Sequence, residues 1–329
     1  MGKIVVPKGH AILHSKGGFQ ISPYLQEIAC YVGQESVFEG GSEMLSKIAG
    51  IKMNAKQIER VCHFYGEEIE QALERSIEQN IPPEITDTDS PAYCMMDGGM
   101  VLTREESWKE IKLARIFRAT DLTELHPKRN WITNSLYVAH LGDHKDFCRK
   151  VGHYTDELKN PVFVGDGAHW IWNWVNAFYP ESVQILDFFH AKEHLCTFGN
   201  LYFKDEQIKK EWIQIQTDLL LTDNVDQVIE GIIQLPEITN SPAEKSRKNL
   251  IEYYRNNRQR MLYMTFRKEG FLIGSGPIES AIRNIVQQRM KLSGQRWTKK
   301  GLQQIANLRA AYHSKADEAV KKLILDYAV

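Results

Sequence analysis

The 329-residue sequence lacks a long hydrophobic run: nothing in it approaches the roughly 18 apolar residues that a membrane span requires. Its first residues, MGKIVVPKGH, contain no signal-peptide hydrophobic region. Paired cysteines are missing too. Cys30, Cys62, Cys94, Cys148 and Cys196 are scattered, with no Cys-x-x-Cys among them. An odd, dispersed set argues against a disulfide framework and a thiolate zinc site, and suits a reducing cytosol. An excess of charge of either sign is also absent, since 41 Lys and Arg meet 42 Asp and Glu for a formal net charge of −1. A polyanionic partner therefore finds no support in the total and has to be sought in local clusters. There is no internal repeat and no low-complexity tract. What remains is ordinary globular composition, 25% charged and 43% hydrophobic. That is enough apolar material for one large domain or two to three smaller ones.

Along the chain the pattern changes several times. Residues 1–23 read as an extended lead-in, within a largely helical N-terminal region over 1–80. In that region SEMLSKIAG is a short amphipathic helix stopped by Gly50. Asn54 can cap a second helix with Ile58, Val61, Cys62, Tyr65 and Ile69 on one side. Two helices joined by a short turn have the outline of a helix-turn-helix, and equally of a helical scaffold that never meets DNA. A linker, QNIPPEITDTDSP, follows. Strand signals then appear in AYCMMDGGMVL, WKEIKLARIF and NSLYVAHLG. After them come a helix (DHKDFCRKVGHYTDEL), a short buried strand (PVFVGDG), a helix (AHWIWNWVNAFY) and a strand (SVQILDFFH). Three strands, helix, strand, helix, strand is an α/β order. Residues 191–268 lose strand character and read as helical, and two more helices are expected within 269–329, the last over about 299–328.

Three acids stand where acids are awkward. Asp97 lies inside the first strand signal and precedes two glycines; Asp166 ends VFVGDG; Glu279 opens the helix of GSGPIESAI. Singly, each has an ordinary explanation: a turn former, an N-cap, a first-turn partner of the helix dipole. Together, on a first strand, a fourth strand and a helix packed across them, they suit a cage for hard cations. Mg²⁺ takes one or two carboxylates plus waters and phosphate oxygens, and two ions about 3.5–4 Å apart can clamp an in-line phosphoryl displacement. The adjoining glycines are expected to let a polyanionic strand approach the backbone.

At these residues the chain resembles the bacterial insertion-sequence DDE transposases of the Kra group, related in design to Mutator-type transposases. The stretches that carry the likeness include ISPYLQEIACYVG, MMDGGMVLTREESWKEIKLARIF, YVAHLGD, VFVGDGAHWIWN, QILDFFHAKEHL, RNNRQRM and IGSGPIESAIRNIVQQRMKLSGQRW. The likeness covers about 21–308. It implies an α/β, RNase H-like mixed sheet with flanking helices, interrupted by an all-helical insertion and preceded by a helical N-terminal region. The core would occupy 91–190 and 269–329, with the insertion at 191–268. It further implies a catalytic, metal-binding triad of Asp97, Asp166 and Glu279, with Mg²⁺ as cofactor and Mn²⁺ as a possible substitute. Double-stranded DNA, as transposon ends and target, would be the partner, gripped by a homodimer or larger oligomer in the bacterial cytoplasm, on the nucleoid when DNA is bound. The spacings agree, with 69 residues from Asp97 to Asp166 and 113 from there to Glu279. At the front the chain departs from the pattern, because a cysteine-bearing segment expected upstream has no counterpart in MGKIVVPKGHAIL. A transposase-derived DNA-binding protein without full transposition activity is the alternative.

Other motifs are weaker. His190, Glu193 and His194 spell the inverted zinc-peptidase motif. The resemblance offers a rival, in which Asp187 and His190 form the D-x-x-H signature that follows the second catalytic strand. The Gly-x-Gly of FLIGSGP is not a dinucleotide loop, since no strand with a ribose-binding acid follows. Between Lys245 and Gly301, 14 Lys or Arg face only Glu252, Glu269 and Glu279. Arg283, Arg289, Lys291 and Arg296 are therefore expected to hold phosphates, with Trp297 stacking on an unpaired base. Trp170 and Trp174 read as core rather than as a base platform.

Overall fold

The computed structural model describes residues 17–83, 89–126, 129–239, 241–314 and 317–325. Residues 1–16 of the lead-in expected over 1–23, part of the expected linker and the end of the last helix lie outside the described residues. Three helices open the chain: α1 (Pro23–Glu35), α2 (Phe38–Ala49) and α3 (Ala55–Glu78). Their ends follow from local chemistry. Ser22 Oγ accepts from Leu25 N before the N1 proline of α1, and Asn54 Oδ1 accepts from Gln57 N to start α3. Gly50, at φ 66°, closes α2 in the left-handed conformation that costs glycine least.

A five-stranded sheet follows, built from β1 (Ala92–Thr103), β2 (Ser107–Arg118), β5 (Leu136–Leu141), β6 (Pro161–Gly165) and β7 (Val183–Leu186). Their order is β5-β2-β1-β6-β7. β2 and β5 are antiparallel, with Leu113 opposite Ala139, whereas β6 and β7 are parallel, with Val164 opposite Ile185. The parallel pair needs a crossover, and helix α5 (His169–Phe178) supplies it. The near-continuous apolar run of β6 suits a strand covered on both faces, and Val162, Phe163 and Val164 are all buried. Helix α4 (His144–Thr155) precedes β6, and among the described residues every element after β7 is helical. These are α6 (Phe188–Tyr202), α7 (Glu206–Leu221), α8 (Val225–Ile233), α9 (Pro242–Asn257), α10 (Tyr263–Lys268), α11 (Gly276–Ala281), α12 (Gln288–Met290), α13 (Lys299–His313) and α14 (Asp317–Leu325). A mixed sheet whose strands run third, second, first, fourth, fifth, with flanking helices, a helical N-terminal stretch and a helical insertion, is the architecture expected of an RNase H-like fold.

Several expectations need correction. The strand read through SVQILDFFH stops at Leu186, because Asp187 caps the next helix. The single last helix is two, α13 ending at His313 and α14 starting at Asp317. A small antiparallel pair, β3 (Leu122–His126) with β4 (Arg129–Ile132), was not anticipated. The contacts divide the chain into two compact units. One comprises Met1–Ala92, Asp97–Lys159 and Ile278–Val329; the other comprises Tyr93–Met96 and Asn160–Pro277.

The first unit is tightly tied. A Cβ on Gly66 of α3 would fall 2.1 Å from the backbone oxygen of Gln304 in α13, so these helices touch backbone to backbone. Arg309 of α13 is 1% exposed and gives its guanidinium to backbone and amide oxygens, including those of Gln34. Among the described residues no helix is long and apolar enough to cross a membrane.

Candidate active site

In the first unit, Asp97 sits half-buried in the middle of β1, where its Oδ1 accepts from Gly98 N at 2.6 Å. Side chains alternate along a strand, so Asp97 and Gly99 share a face. That face is covered by the segment following Glu279. A Cβ on Gly99 would stand 3.4 Å from Ile282 Cγ2 and 3.5 Å from Val286 Cγ1. Ile282 is three residues beyond Glu279, on the same side of a helix. Glu279 itself is exposed in the first turn of α11. Gly99 thus allows close packing of the protein on itself, and a Cβ on its neighbour Gly98 would meet the Glu110 carboxylate.

The helix loosens just past the glutamate. Ile282–Gln287 form a π-helix, a geometry that recurs at functional sites. Its carbonyls are met by Arg309, whose Nε donates to Ile285 O at 2.7 Å and whose Nη2 donates to Asn284 O at 2.5 Å. Burial holds the Arg309 guanidinium below its ordinary pKa, against the opposing charge of Glu35.

The second unit carries Asp166, at the exit of β6. Its Oδ1 accepts from Ala168 N at 3.0 Å, and its carbonyl accepts from the Tyr253 hydroxyl at 2.8 Å. Gly167 has φ +96°, and a Cβ there would come within 2.5 Å of the Tyr253 ring. This position therefore requires glycine for both conformation and space. Burial, then the charges of Asp166 and Asp187, push the Tyr253 phenol up, so it remains a hydrogen-bond donor across the physiological range.

Asp187 is fully buried. Its Oδ1 caps α6 by accepting from Phe189 N at 2.9 Å, and its Oδ2 accepts from the Ser275 hydroxyl at 2.5 Å. One carboxylate thereby joins the start of α6 to the GSGP loop, and the Phe188 N–H to Ile273 O bond reinforces that joint. Removing it in Asp187→Ala takes away the acceptor of the Ser275 hydroxyl bond and of the Phe189 N–H. A loss of about 2–4 kcal/mol is expected in urea unfolding. A loss below about 1 kcal/mol would show that this carboxylate does not hold the joint.

Of the residues expected to hold phosphates, Arg283, Lys291 and Arg296 are exposed. Arg289 and Trp297 are not placed for such work. Arg289 is 1% exposed, donates through Nε and Nη2 to Gly33 O at 3.1 and 3.0 Å, and lies over the rings of Phe38 and Trp297. Desolvation brings it down to about 10. Trp297 is 7% exposed and its Nε1 donates to Met290 O at 3.1 Å. Both belong to the packing around Phe38, because a flat guanidinium can be buried on aromatic faces. Trp170 and Trp174 are half-buried, and Trp174 packs edge-on against Phe163. In the peptidase-like motif, His190 Nδ1 lies 4.0 Å from Glu193 Oε2, and His194 packs on Tyr253 at 4.4 Å between ring centroids. Its imidazole is lowered by burial and then by His190.

Among the described residues no group of three or more His, Cys, Asp or Glu side chains is set to hold a metal ion. Asp97 and Glu279 belong to the first unit and Asp166 to the second. As donors the three are all carboxylates, the hard-oxygen chemistry that suits Mg²⁺ and not a thiolate-binding metal. No known family model matches the chain, and no curated protein matches its sequence.

Proposed function

We propose that this chain is a DDE-type transposase of the Kra group, acting in the bacterial cytoplasm to cleave DNA at transposon ends and to join the freed 3′ hydroxyl to target DNA. The observation that carries this reading is the packing of Ile282 and Val286 on Gly99. It sets the helix of Glu279 against the strand face that bears Asp97. Support also comes from Asp166 at the end of β6, the strand next to β1 in the sheet order. These three carboxylates would hold Mg²⁺, or Mn²⁺ in its place, and the ion would supply the Lewis acidity that phosphodiester displacement needs. The chain's own residues would do the positioning: Tyr253 fixes the backbone of Asp166, Asp187 and Ser275 fix the loop leading to Glu279, and Arg283, Lys291 and Arg296 meet phosphates. A homodimer or larger oligomer would hold two ends together.

The test is incubation of linear duplex DNA carrying the sequences that border the gene, searched for inverted repeats, with Mg²⁺, Mn²⁺ or EDTA. Strand cleavage at the repeat borders with either ion and none in EDTA is expected. DNA binding without cleavage under any of these conditions would assign the chain to transposase-derived DNA-binding proteins instead.

A further inference from the structure

The second unit contains a groove of about 730 Å³, lined by residues of α5, α6 and α9 together with Gly167 and Arg260. Its volume is in the range of small-ligand sites. Nothing in the proposed triad uses it, yet it begins beside Asp166: Gly167 forms part of its wall, and the Tyr253 that holds the Asp166 carbonyl forms another.

We infer that this groove takes one unpaired nucleotide of a DNA strand. The inference deepens the transposase reading and rests on it for the identity of that strand. Three features of the lining carry it. Exposed amides, Asn173 and Asn249 among them, offer paired donors and acceptors of the kind that read base edges. Tyr253 and His194 provide adjacent rings, 4.4 Å apart and tilted by 39°, on which a base can stack. Arg260 provides fixed positive charge. Its guanidinium lies 4.4 Å from the centre of the Trp172 ring and is held by Gln184 Oε1, Asn176 Oδ1, Asn257 Oδ1 and Asn256 O at 2.8–3.3 Å. All four partners are neutral oxygens, so these bonds orient the charge without cancelling it. Lys245 adds a second cation, and Glu252 is the acid facing the same space. A nucleotide satisfies all three features at once: a hydrogen-bonding edge, a flat face and a phosphate. A duplex end would have to give up a base pair to enter, so a strand already unpaired binds most readily.

The test compares a fluorescein-labelled single-stranded 12-mer with a blunt hairpin duplex of the same composition, by anisotropy at fixed salt. The protein is the full chain and a triple variant, Asn173→Ala, Lys245→Ala and Asn249→Ala. All three side chains are exposed, so thermal melting serves only to confirm that the variant folds. The expected result is at least a tenfold loss of affinity for the single strand and less than a twofold change for the duplex. Equal losses on both DNAs, or no loss on either, would overturn the inference. The cleavage assay separates the two ideas. A selective single-strand defect in a protein that cleaves nothing keeps the groove and removes the transposase reading. Cleavage with no selective defect removes the groove alone.

Discussion

Asp97→Asn and Asp166→Asn are each expected to abolish metal-dependent cleavage at transposon ends while leaving duplex affinity within about twofold of the parent protein. The amide keeps shape and volume but removes the charge that a divalent ion requires. Loss of metal-assisted stabilisation is worth several kcal/mol. At about 1.36 kcal/mol per tenfold in rate, that is roughly a thousandfold or more. Neither substitution threatens the fold. Asp97 and Asp166 are both half-buried, and the hydrogen bonds their Oδ1 atoms accept from Gly98 N and Ala168 N can be kept by an amide oxygen. Single-turnover cleavage of labelled DNA checks this. A variant that retains a tenth or more of the parent rate would remove that residue from the chemistry. Glu279→Gln completes the set, and its exposure makes it the least disruptive of the three.

The largest effect on stability is expected from a much smaller change, Gly66→Ala. The added methyl would lie 2.1 Å from Gln304 O and 2.6 Å from Gln304 C, both backbone atoms that no rotamer can move aside. Helices α3 and α13 would have to separate along a contact that also holds the Asn307 Nδ2 to Gly66 O bond and the Gln304 Nε2 to Glu67 bond. In a helix interior alanine would ordinarily stabilise relative to glycine by about 0.5–1 kcal/mol. Here overpacking reverses the sign, with an expected loss of about 3 kcal/mol or more in chemical unfolding. Unchanged or raised stability would mean that the two helices are not in backbone contact.

Much of the architecture was legible in the sequence because local chemistry set it. Asn54 and Gly50 mark helix ends through one side-chain acceptor and one positive φ, and the apolar run of β6 announces a strand covered on both faces. The α/β order and the helical insertion followed from the same signals. β3 and β4 escaped because LTELH and RNWI have neither an apolar alternation nor a glycine turn between them. The end of the chain was overextended since nothing in HSKAD is a strong helix breaker.

Side-chain roles were harder to read. A basic run looks the same whether its arginines face solvent or the core. Arg283 is exposed, whereas Arg289, six residues on, lies between Phe38 and Trp297. The aromatic partner 251 positions earlier in the chain carries no local mark. The glycines after Asp97 and Asp166 signalled close approach without naming a neighbour: within the protein Glu110 meets Gly98, Ile282 meets Gly99 and Tyr253 meets Gly167. Asp187 allowed both a helix cap and a transposase signature; it caps α6, and its second oxygen secures Ser275.

The central claim is that Asp97, Asp166 and Glu279 bind divalent ions jointly when DNA is present. The most direct measurement replaces Mg²⁺ with Fe²⁺ in the DNA complex and maps where ascorbate and peroxide cut the polypeptide. Cuts clustered at all three segments, around 97, 166 and 279, suppressed by excess Mg²⁺ and lost in Asp97→Asn, are the expected result. Cuts confined to one segment, or falling elsewhere in the chain, would contradict it.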